Sequence, residues 1–216
     1  VREVATDGFV TKLFDQTGNN NHAEQTTAAN QPKLVAGGDV ITAGGKPAME
    51  FDGSNDYLPI ASSFNDSFNL NSLSSSVVFQ SADASQEGFV FVLGGSEGSN
   101  KRWYQPLIYG SNFKYSYGTY HPATEETSDT AHHVLSFIAG SAGIKVYRNG
   151  THVNTYTGTA IDNSNATNQA GFGALAQGDT HFSGTIQEAI VYDSDQTSSR
   201  AGIQTNQGTY FGITIA

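Results

Sequence analysis

Cysteine is absent from the sequence, so the fold must be stabilised by its core, a metal or oligomerisation rather than by disulfides. Basic side chains are also scarce: 10 Lys and Arg stand against 20 Asp and Glu, and the formal net charge is −10. This balance argues against binding nucleic acid or an anionic membrane surface, which requires stripes of Lys and Arg. No apolar run approaches the roughly 18 residues of a transmembrane helix, so we expect no membrane insertion.

The chain begins at Val1 rather than at a methionine, and its opening residues do not have the pattern of a signal peptide. We therefore expect that the chain is an excerpt of a longer protein or a product cleaved from one. No Pro- or Ser-rich linker divides the 216 residues, which predicts a single domain over residues 1–216.

Glycine is abundant, with 24 residues, and Asn, Ser, Thr and Gln dominate the polar fraction. This mixture is typical of short strands joined by tight turns and argues against a helical protein. The 10 Tyr and 13 Phe supply large flat rings that suit a core and a sugar-binding surface equally. Strand-like segments recur at regular spacing, which favours a two-sheet sandwich.

Residues 132–157 carry the clearest local signal. Three apolar runs alternate with two turn segments, and the second turn contains Asn149-Gly150. Asn-Gly between strand-like runs indicates a type I′ hairpin, because both residues tolerate a positive φ. The pattern predicts a three-stranded antiparallel meander here. Residues 195–208 are the single helix candidate, capped by Asp195 or Thr197, and residues 209–215 are predicted to form a closing strand.

Several segments together resemble the concanavalin A-like, laminin G-like jelly-roll superfamily: PAMEFDGSNDYL, HHVLSF followed by IKVYRNGTHV, and FSGTIQEAIVYD. The opening VTKLFDQTGNNNHAEQTTAANQPKLV is similar to a segment of fungal-type α-L-arabinofuranosidase sandwich domains and of lectin-like domains in bacterial surface and phage virion proteins. The resemblance implies an all-β, antiparallel two-sheet jelly-roll sandwich with one short C-terminal helix. It is poor evidence for activity, since function depends on the site that a fold carries.

Catalysis by a sandwich glycosidase requires two carboxylates about 5 to 10 Å apart. Glu50 and Asp52 share one strand face, but Asn55 stands where the laminarinase-like branch of the superfamily carries a third acid. Glu188 lies on another strand and is a further candidate. We interpret all three acids as solvated or structural, so the sequence does not favour an enzyme. No Gly-x-Ser-x-Gly nucleophile signature is present.

Calcium is the metal that the sequence favours. Asp52, Asn55 and Asp56 offer hard oxygen ligands within one turn, and the resemblance implies a calcium site at a sandwich rim. The alternative is that Asp52 accepts hydrogen bonds from its own loop backbone. Zinc is not expected, because His132 and His133 are adjacent and face opposite sides of a strand.

A cluster of aromatic residues is the best candidate for a glycan platform, because aromatic rings stack on sugar C–H faces and polar neighbours bind the hydroxyls. The alternative is that these rings fill the core or an oligomer interface. The predicted carbohydrate-binding residues are Trp103, Tyr104, Asn112, Tyr115, Tyr117, Tyr120 and His121.

These observations predict a non-catalytic, lectin-like module that recognises a glycan or polysaccharide at an extracellular or virion surface. Two alternatives remain open. The chain is a structural module of a larger virion or surface assembly, or of a homo-oligomer, without glycan binding; or it is an arabinofuranosidase-like glycoside hydrolase.

Overall fold

The computed structural model describes residues 6–61, 64, 69, 72–93, 102–140, 143–157, 170–175 and 180–216. Residues 102–104 and 116–125 are described by their backbone alone. A short 3-10 turn spans Ala28–Asn30, and helix α1 spans Arg200–Phe211. The strands in chain order are β1 (Gly8–Phe9), β2 (Lys12–Leu13), β3 (Ala23–Glu24), β4 (Lys33–Ala36), β5 (Asp39–Val40), β6 (Thr42–Ala43), β7 (Lys46–Pro47), β8 (Met49–Asp52), β9 (Leu58–Pro59), β10 (Ser74–Ser81), β11 (Gly88–Phe89), β12 (Phe91–Val92), β13 (Arg102–Tyr109), β14 (Asn112–Thr127), β15 (His132–Gly140), β16 (Gly143–Arg148), β17 (Thr151–Tyr156), β18 (Gly171–Phe172) and β19 (Ser183–Tyr192).

These strands form two main antiparallel sheets. The larger has nine strands in the order β1-β4-β8-β19-β10-β15-β16-β17, with β5 paired to β4. The smaller has the order β11-β13-β12-β18-β9, with β14 paired to β13. The predicted jelly-roll sandwich with one C-terminal helix is confirmed.

The side chains of the core alternate along the strands, as a half-buried sheet requires. On β8, Met49 and Phe51 are buried while Glu50 and Asp52 are exposed. On β10, Val77 and Phe79 belong to the same core cluster as Phe51. We call the opposite face of the larger sheet, which carries Glu50 and Asp52, its outer face.

The predicted meander is present as β15, β16 and β17, paired in sequence order. Asn149 and Gly150 form the second turn with φ values of 48° and 88°, as a type I′ turn requires. The type I′ hairpin turn that Asn149-Gly150 predicts is therefore present.

A polar cluster, which we call the hairpin network, lies beside this turn and consists of Tyr115, Glu126, Asp129, His133, Arg148 and Asn149. Tyr115 Oη donates to Glu126 Oε2 over 2.9 Å, and Glu126 Oε1 lies 3.2 Å from Arg148 Nη2. His133 Nε2 lies 2.7 Å from Asp129 Oδ1, and Asn149 Nδ2 lies 3.2 Å from His133 Nδ1. The His-His-Val and Asn-Gly segments are thus tied together by side chains as well as by the strand ladder.

Burial shifts the pKa values of two groups in this network. His133 is 3% exposed, and its burial lowers the pKa of the imidazole even though Asp129 acts to raise it. Burial also raises the pKa of the Tyr115 hydroxyl well above its ordinary value. Both groups are therefore uncharged at neutral pH and pack as part of the core.

The C-terminal helix begins later than the sequence pattern predicts. Asp195 Oδ1 accepts hydrogen bonds from the backbone N–H and the hydroxyl of Thr197, at 2.8 Å and 2.6 Å. These bonds close a turn ahead of the helix, so neither Asp195 nor Thr197 is its N-cap. Ser199 occupies that position without a side-chain bond to the helix backbone.

The predicted closing strand over residues 209–215 is wrong. Helix α1 continues to Phe211, and Gly212 ends it with a left-handed φ of 73°. Phe211 is buried with Val78 and Val134 on the outer face of the larger sheet. Phe211 is therefore the buried end of a helix, and Ile213, in the segment after the helix, packs in the same cluster.

Helix α1 covers the middle of the outer face. The Gln207 side chain accepts a hydrogen bond from Ser76 Oγ over 2.6 Å and donates one to Glu188 Oε2 over 2.8 Å. Beyond the helix, the end of the face that carries Glu50 and Gln80 is open. Within the described part of the chain, no helix is long and apolar enough to cross a membrane.

Candidate functional site

A cleft of about 710 Å³ opens at the uncovered end of the outer face. This volume lies in the range of small-ligand sites. We call it the acidic cleft, and its walls include Phe9, Gln31, Lys33, Glu50, Asp52, Asp56, Gln80 and Thr185. It is the main candidate site on the described residues.

Strand pairing builds one wall of the cleft as a row of side chains. Phe9, Lys33, Glu50, Thr185 and Gln80 are successive register partners across β1, β4, β8, β19 and β10. Residues opposite each other on neighbouring strands share a face, so these five side chains form a continuous row. The row presents an aromatic ring at one end and polar groups along the rest.

The turn after β8 builds the acidic end of the cleft. Asp52 Oδ1 accepts the N–H groups of Ser54 and Asn55, at 2.7 Å and 3.2 Å, and Gly53 has a φ of 75°. Asp56 Oδ2 accepts the N–H of Asp52 over 3.0 Å. The two aspartates therefore fix the turn, while Asp52 remains exposed to the cleft.

Asp56 lies at the base of this turn and is 6% exposed. Burial raises the pKa of its carboxyl to about 6, and the nearby Asp52 and Glu50 act in the same direction. The hydrogen bond from the Asp52 N–H opposes this shift. A proton on Asp56 is therefore released close to neutral pH, which is unusual for an aspartate.

Lys33 is the basic side chain of the cleft wall. Its Nζ lies 2.7 Å from Asp7 Oδ2, and this hydrogen bond is the main cause that raises the pKa of Lys33. The same Nζ lies 5.6 Å from the centre of the Phe9 ring. The lysine charge is thus directed toward Asp7 and the rim.

The remaining cleft groups suit a ligand with hydroxyl groups. Phe9 is 49% exposed and offers a ring for stacking. Gln80 Nε2 donates to the Thr130 carbonyl over 3.0 Å, which orients the Gln80 amide at the rim. Thr185 lines the same wall, but its Oγ1 is buried and has no hydrogen-bond partner among the described residues.

The predicted calcium ligands Asp52, Asn55 and Asp56 do come together, but the geometry favours the alternative of a hydrogen-bonded turn. One oxygen of each aspartate already accepts a backbone N–H. The described residues contain no group of three or more His, Cys, Asp or Glu side chains that could hold a metal ion. The hydrogen bonds of the turn account for the positions of both aspartates, and calcium binding at Asp52, Asn55 and Asp56 stays a prediction.

The predicted aromatic platform is placed only in part. Tyr115 is 1% exposed, and its ring packs against Phe137 and Tyr156 in the core. It is therefore not available to stack on a sugar, because alternation turns its strand face inward. Asn112 lies at the β13–β14 turn, where its side chain donates to the Gly110 carbonyl over 3.0 Å.

The other predicted platform residues lie on the two long strands of the smaller sheet. Trp103 and Tyr104 belong to β13, and Tyr117, Tyr120 and His121 belong to β14. The register pairs Trp103 with Tyr117. The side chains of these five residues lie outside the described structure, so their role stays a prediction.

Of the three acids considered for hydrolysis, Glu188 is separated from Glu50 and Asp52 in the fold. Glu50 faces the acidic cleft, whereas the Glu188 carboxylate accepts a hydrogen bond from Gln207 of α1 and does not line the cleft. The structure instead brings Glu50 together with Asp52 and Asp56. A hydrolase that uses Glu50 and Glu188 as its pair is not supported.

Four cleft residues, Phe9, Lys33, Gln80 and Thr185, are absent from the sequence-based prediction. Alternation identifies each as an outward position of its own strand. It does not reveal that β1, β4, β8, β19 and β10 are neighbours, because they come from distant parts of the chain. The nearest sequence signal is the acidic turn of Asp52, Asn55 and Asp56, which predicts a metal site.

A sequence profile described as the concanavalin A-like lectin/glucanases superfamily matches residues 52–200, more than half of the chain. No curated protein sequence matches the chain. Solved structures share the fold at low identity. Domain 4 of AbnA, a GH43 extracellular arabinanase from Geobacillus stearothermophilus in complex with arabinotriose, is 18% identical with a TM-score of 0.55 over 77% of this chain and 82% of that one.

Two larger proteins contain a similar domain. A mutant GH54 α-L-arabinofuranosidase soaked with 4-nitrophenyl α-L-arabinofuranoside is 13% identical, with a TM-score of 0.67 over 94% of this chain and 51% of that one. Trypanosoma rangeli sialidase in complex with sialic acid is 10% identical, with a TM-score of 0.62 over 94% and 32%. This chain spans about half and a third of their lengths, and at these identities the likeness concerns the fold alone. The profile match establishes the family: the chain belongs to the concanavalin A-like lectin/glucanases superfamily.

Proposed function

We propose that the protein is a carbohydrate-recognition module and that the acidic cleft is its glycan-binding site. Membership of the superfamily supports a role in carbohydrate recognition. So does the similarity to a domain in complex with arabinotriose and to a sialidase in complex with sialic acid. These proteins bind their own ligands, and the identity of the sugar for this chain is a separate question.

The observation that carries the proposal is the row of side chains along the cleft wall. A sugar ring presents an apolar C–H face and a belt of hydroxyl groups. The exposed Phe9 ring offers the stacking surface, while Glu50 and Gln80 offer oxygens along the same row. Aromatic stacking combined with a few placed polar groups is the usual composition of a small-ligand site.

The proposal treats the module as non-catalytic. Asp56, the acid whose pKa is raised, has one oxygen committed to the Asp52 N–H. Asp52 likewise has one oxygen committed to its own turn. Both carboxylates therefore have a structural task that accounts for their positions. The extracellular or virion location and the assembly role stay predictions.

The test is a glycan array followed by titration of the strongest neutral ligand with wild type and Phe9→Ala. We expect Phe9→Ala to weaken binding about fivefold, because stacking on an aromatic ring contributes roughly 1 kcal/mol. Phe14→Ala is the matched control, since Phe14 is 59% exposed and does not line the cleft. Equal affinity of the Phe9→Ala and wild-type proteins would remove the cleft from the proposal.

A further inference from the structure

The charges around the acidic cleft are unevenly distributed. Glu50 and Asp52 are exposed along one wall, and Asp56 lies at the base of the adjoining turn. The whole chain adds to this field with a formal net charge of −10. A ligand that enters the cleft therefore meets a negative potential at short range and at long range.

Lys33 offsets this potential only in part, because its charge acts on Glu50 and Asp56 but pairs most closely with Asp7. Its ammonium group is 2.7 Å from Asp7 Oδ2, and Asp7 Oδ1 also accepts the Gly37 N–H over 2.8 Å. The Lys33–Asp7 pair is thus locally neutral. The described lining of the cleft includes no arginine, the residue that binds carboxylates through two parallel hydrogen bonds.

Backbone donors are also occupied at the acidic turn. The N–H groups of Ser54 and Asn55 donate to Asp52 Oδ1, and the Gly53 N–H donates to the Phe182 carbonyl over 3.1 Å. The charged groups that the cleft exposes, the carboxylates of Glu50 and Asp52, can only accept hydrogen bonds, and the Gln80 amide is the neutral group beside them. Acceptors bind hydroxyl groups well and repel carboxylates.

We infer that the acidic cleft selects uncharged sugars and discriminates against sugars that carry a carboxylate, such as sialic and uronic acids. The inference rests on the proposed function and adds its ligand class. If the inference holds, the ligand of this chain differs in charge from sialic acid, with which the T. rangeli sialidase is in complex.

The expected size of the discrimination follows from Coulomb's law. A sugar carboxylate about 6 Å from each of two protein carboxylates, in a water-like dielectric, binds about tenfold more weakly than its neutral counterpart. Removing one of the two charges reduces the discrimination to about threefold. High salt screens the effect, because the Debye length falls from about 30 Å at 0.01 M to about 3 Å at 1 M.

The experiment uses an array that presents each neutral oligosaccharide beside its C6-oxidised uronate and the methyl ester of that uronate. We expect the neutral sugar and the ester to bind alike and the uronate to bind about tenfold more weakly in 10 mM salt. In Glu50→Gln the difference falls to about threefold. Asp193→Asn is the matched control, because Asp193 is exposed and follows the far end of β19, roughly 30 Å away.

The outcomes separate this inference from the proposed function. If neutral sugar and uronate bind equally, or the uronate binds better, the charge selection is wrong while glycan binding stands. If no sugar binds at millimolar concentration, the proposed function itself fails. Should Glu50→Gln not fold, the wild-type salt series decides: discrimination that is unchanged in 1 M salt overturns the inference.

Discussion

The acidic cleft and the hairpin network contain similar side chains, but the acids of the network have partners while those of the cleft face an open volume. Each combines carboxylates with one long basic residue, Lys33 in the cleft and Arg148 in the network. In the network the acids are matched by Arg148, His133 and Tyr115 around a buried imidazole. In the cleft the acids face an open volume while the lysine pairs outside it. Side-chain type alone therefore does not separate a structural cluster from a binding site; the difference lies in which partners are satisfied.

The largest effect on stability is expected from His133→Ala. The imidazole is buried, bonded to Asp129 and Asn149, and packed 5.6 Å from the Phe79 ring centre. Its removal leaves a cavity and unpaired polar groups, which should lower the free energy of unfolding by about 2 to 4 kcal/mol. Urea denaturation at pH 7.5 measures this loss.

His152→Ala is the control for this variant, because His152 is exposed on β17, two strands away from β15 in the same sheet. We expect its cost to stay within about 0.5 kcal/mol. Repeating the stability measurements at lower pH tests the role of His133 further. The pKa of His133 is below its ordinary 6.5 in the folded state, so its contribution is present above pH 6.5 and is lost as the pH falls. The difference in the free energy of unfolding between wild type and His133→Ala should therefore become smaller at acidic pH. A difference that becomes larger would contradict this account.

The contribution of Asp56 in the cleft to stability should change with pH in the opposite direction to that of His133, and Asp56→Asn tests this. Burial raises the Asp56 pKa from 3.8 to about 6, a difference that corresponds to at most roughly 3 kcal/mol. Because the folded-state pKa is raised, the contribution of Asp56 is favourable below pH 3.8 and is lost as the pH rises through 6. Asparagine keeps an acceptor for the Asp52 N–H without the charge. We expect a gain of about 1 to 2 kcal/mol at pH 8 that largely disappears at pH 4.

Thermal or urea denaturation of both proteins at the two pH values measures the gain. Asp56→Ala is the matched control, since it removes the acceptor as well as the charge and leaves the Asp52 N–H unpaired. It should be less stable than Asp56→Asn at both pH values. A loss of stability in Asp56→Asn at pH 8 would mean that the carboxylate is favourable in the folded state.

The sequence allowed the sandwich and its central meander to be predicted because their signals are local. Asn149 and Gly150 specify the turn without reference to any other strand. The C-terminal strand was mispredicted for the opposite reason. Whether Phe211 extends a helix or a strand depends on the outer face that it covers, formed by Val78 and Val134, and those residues are far away in sequence.

The candidate site was predictable only in its acidic turn. Asp52 and Asp56 are close in sequence, so their meeting required no knowledge of the fold. Phe9 and Gln80 line the same cleft only because of the order of strands in the larger sheet, which hydrophobic alternation does not encode. The prediction that Tyr115 binds carbohydrate was wrong for a related reason. Alternation divides the residues of a strand between two faces, but it does not show which face packs against the other sheet.

The smallest effect is expected from Lys33→Met. The Lys33–Asp7 pair is exposed, and such pairs contribute between about 0 and 1 kcal/mol, so stability should change by no more than about 0.5 kcal/mol in urea denaturation. Arg148→Met is the counterpart in the hairpin network. It leaves Glu126 and Asp129 without their cation beside the core, and should cost clearly more. Equal costs for the two variants would mean that the cleft lysine is as structural as the network arginine, and the contrast between the two clusters would be lost.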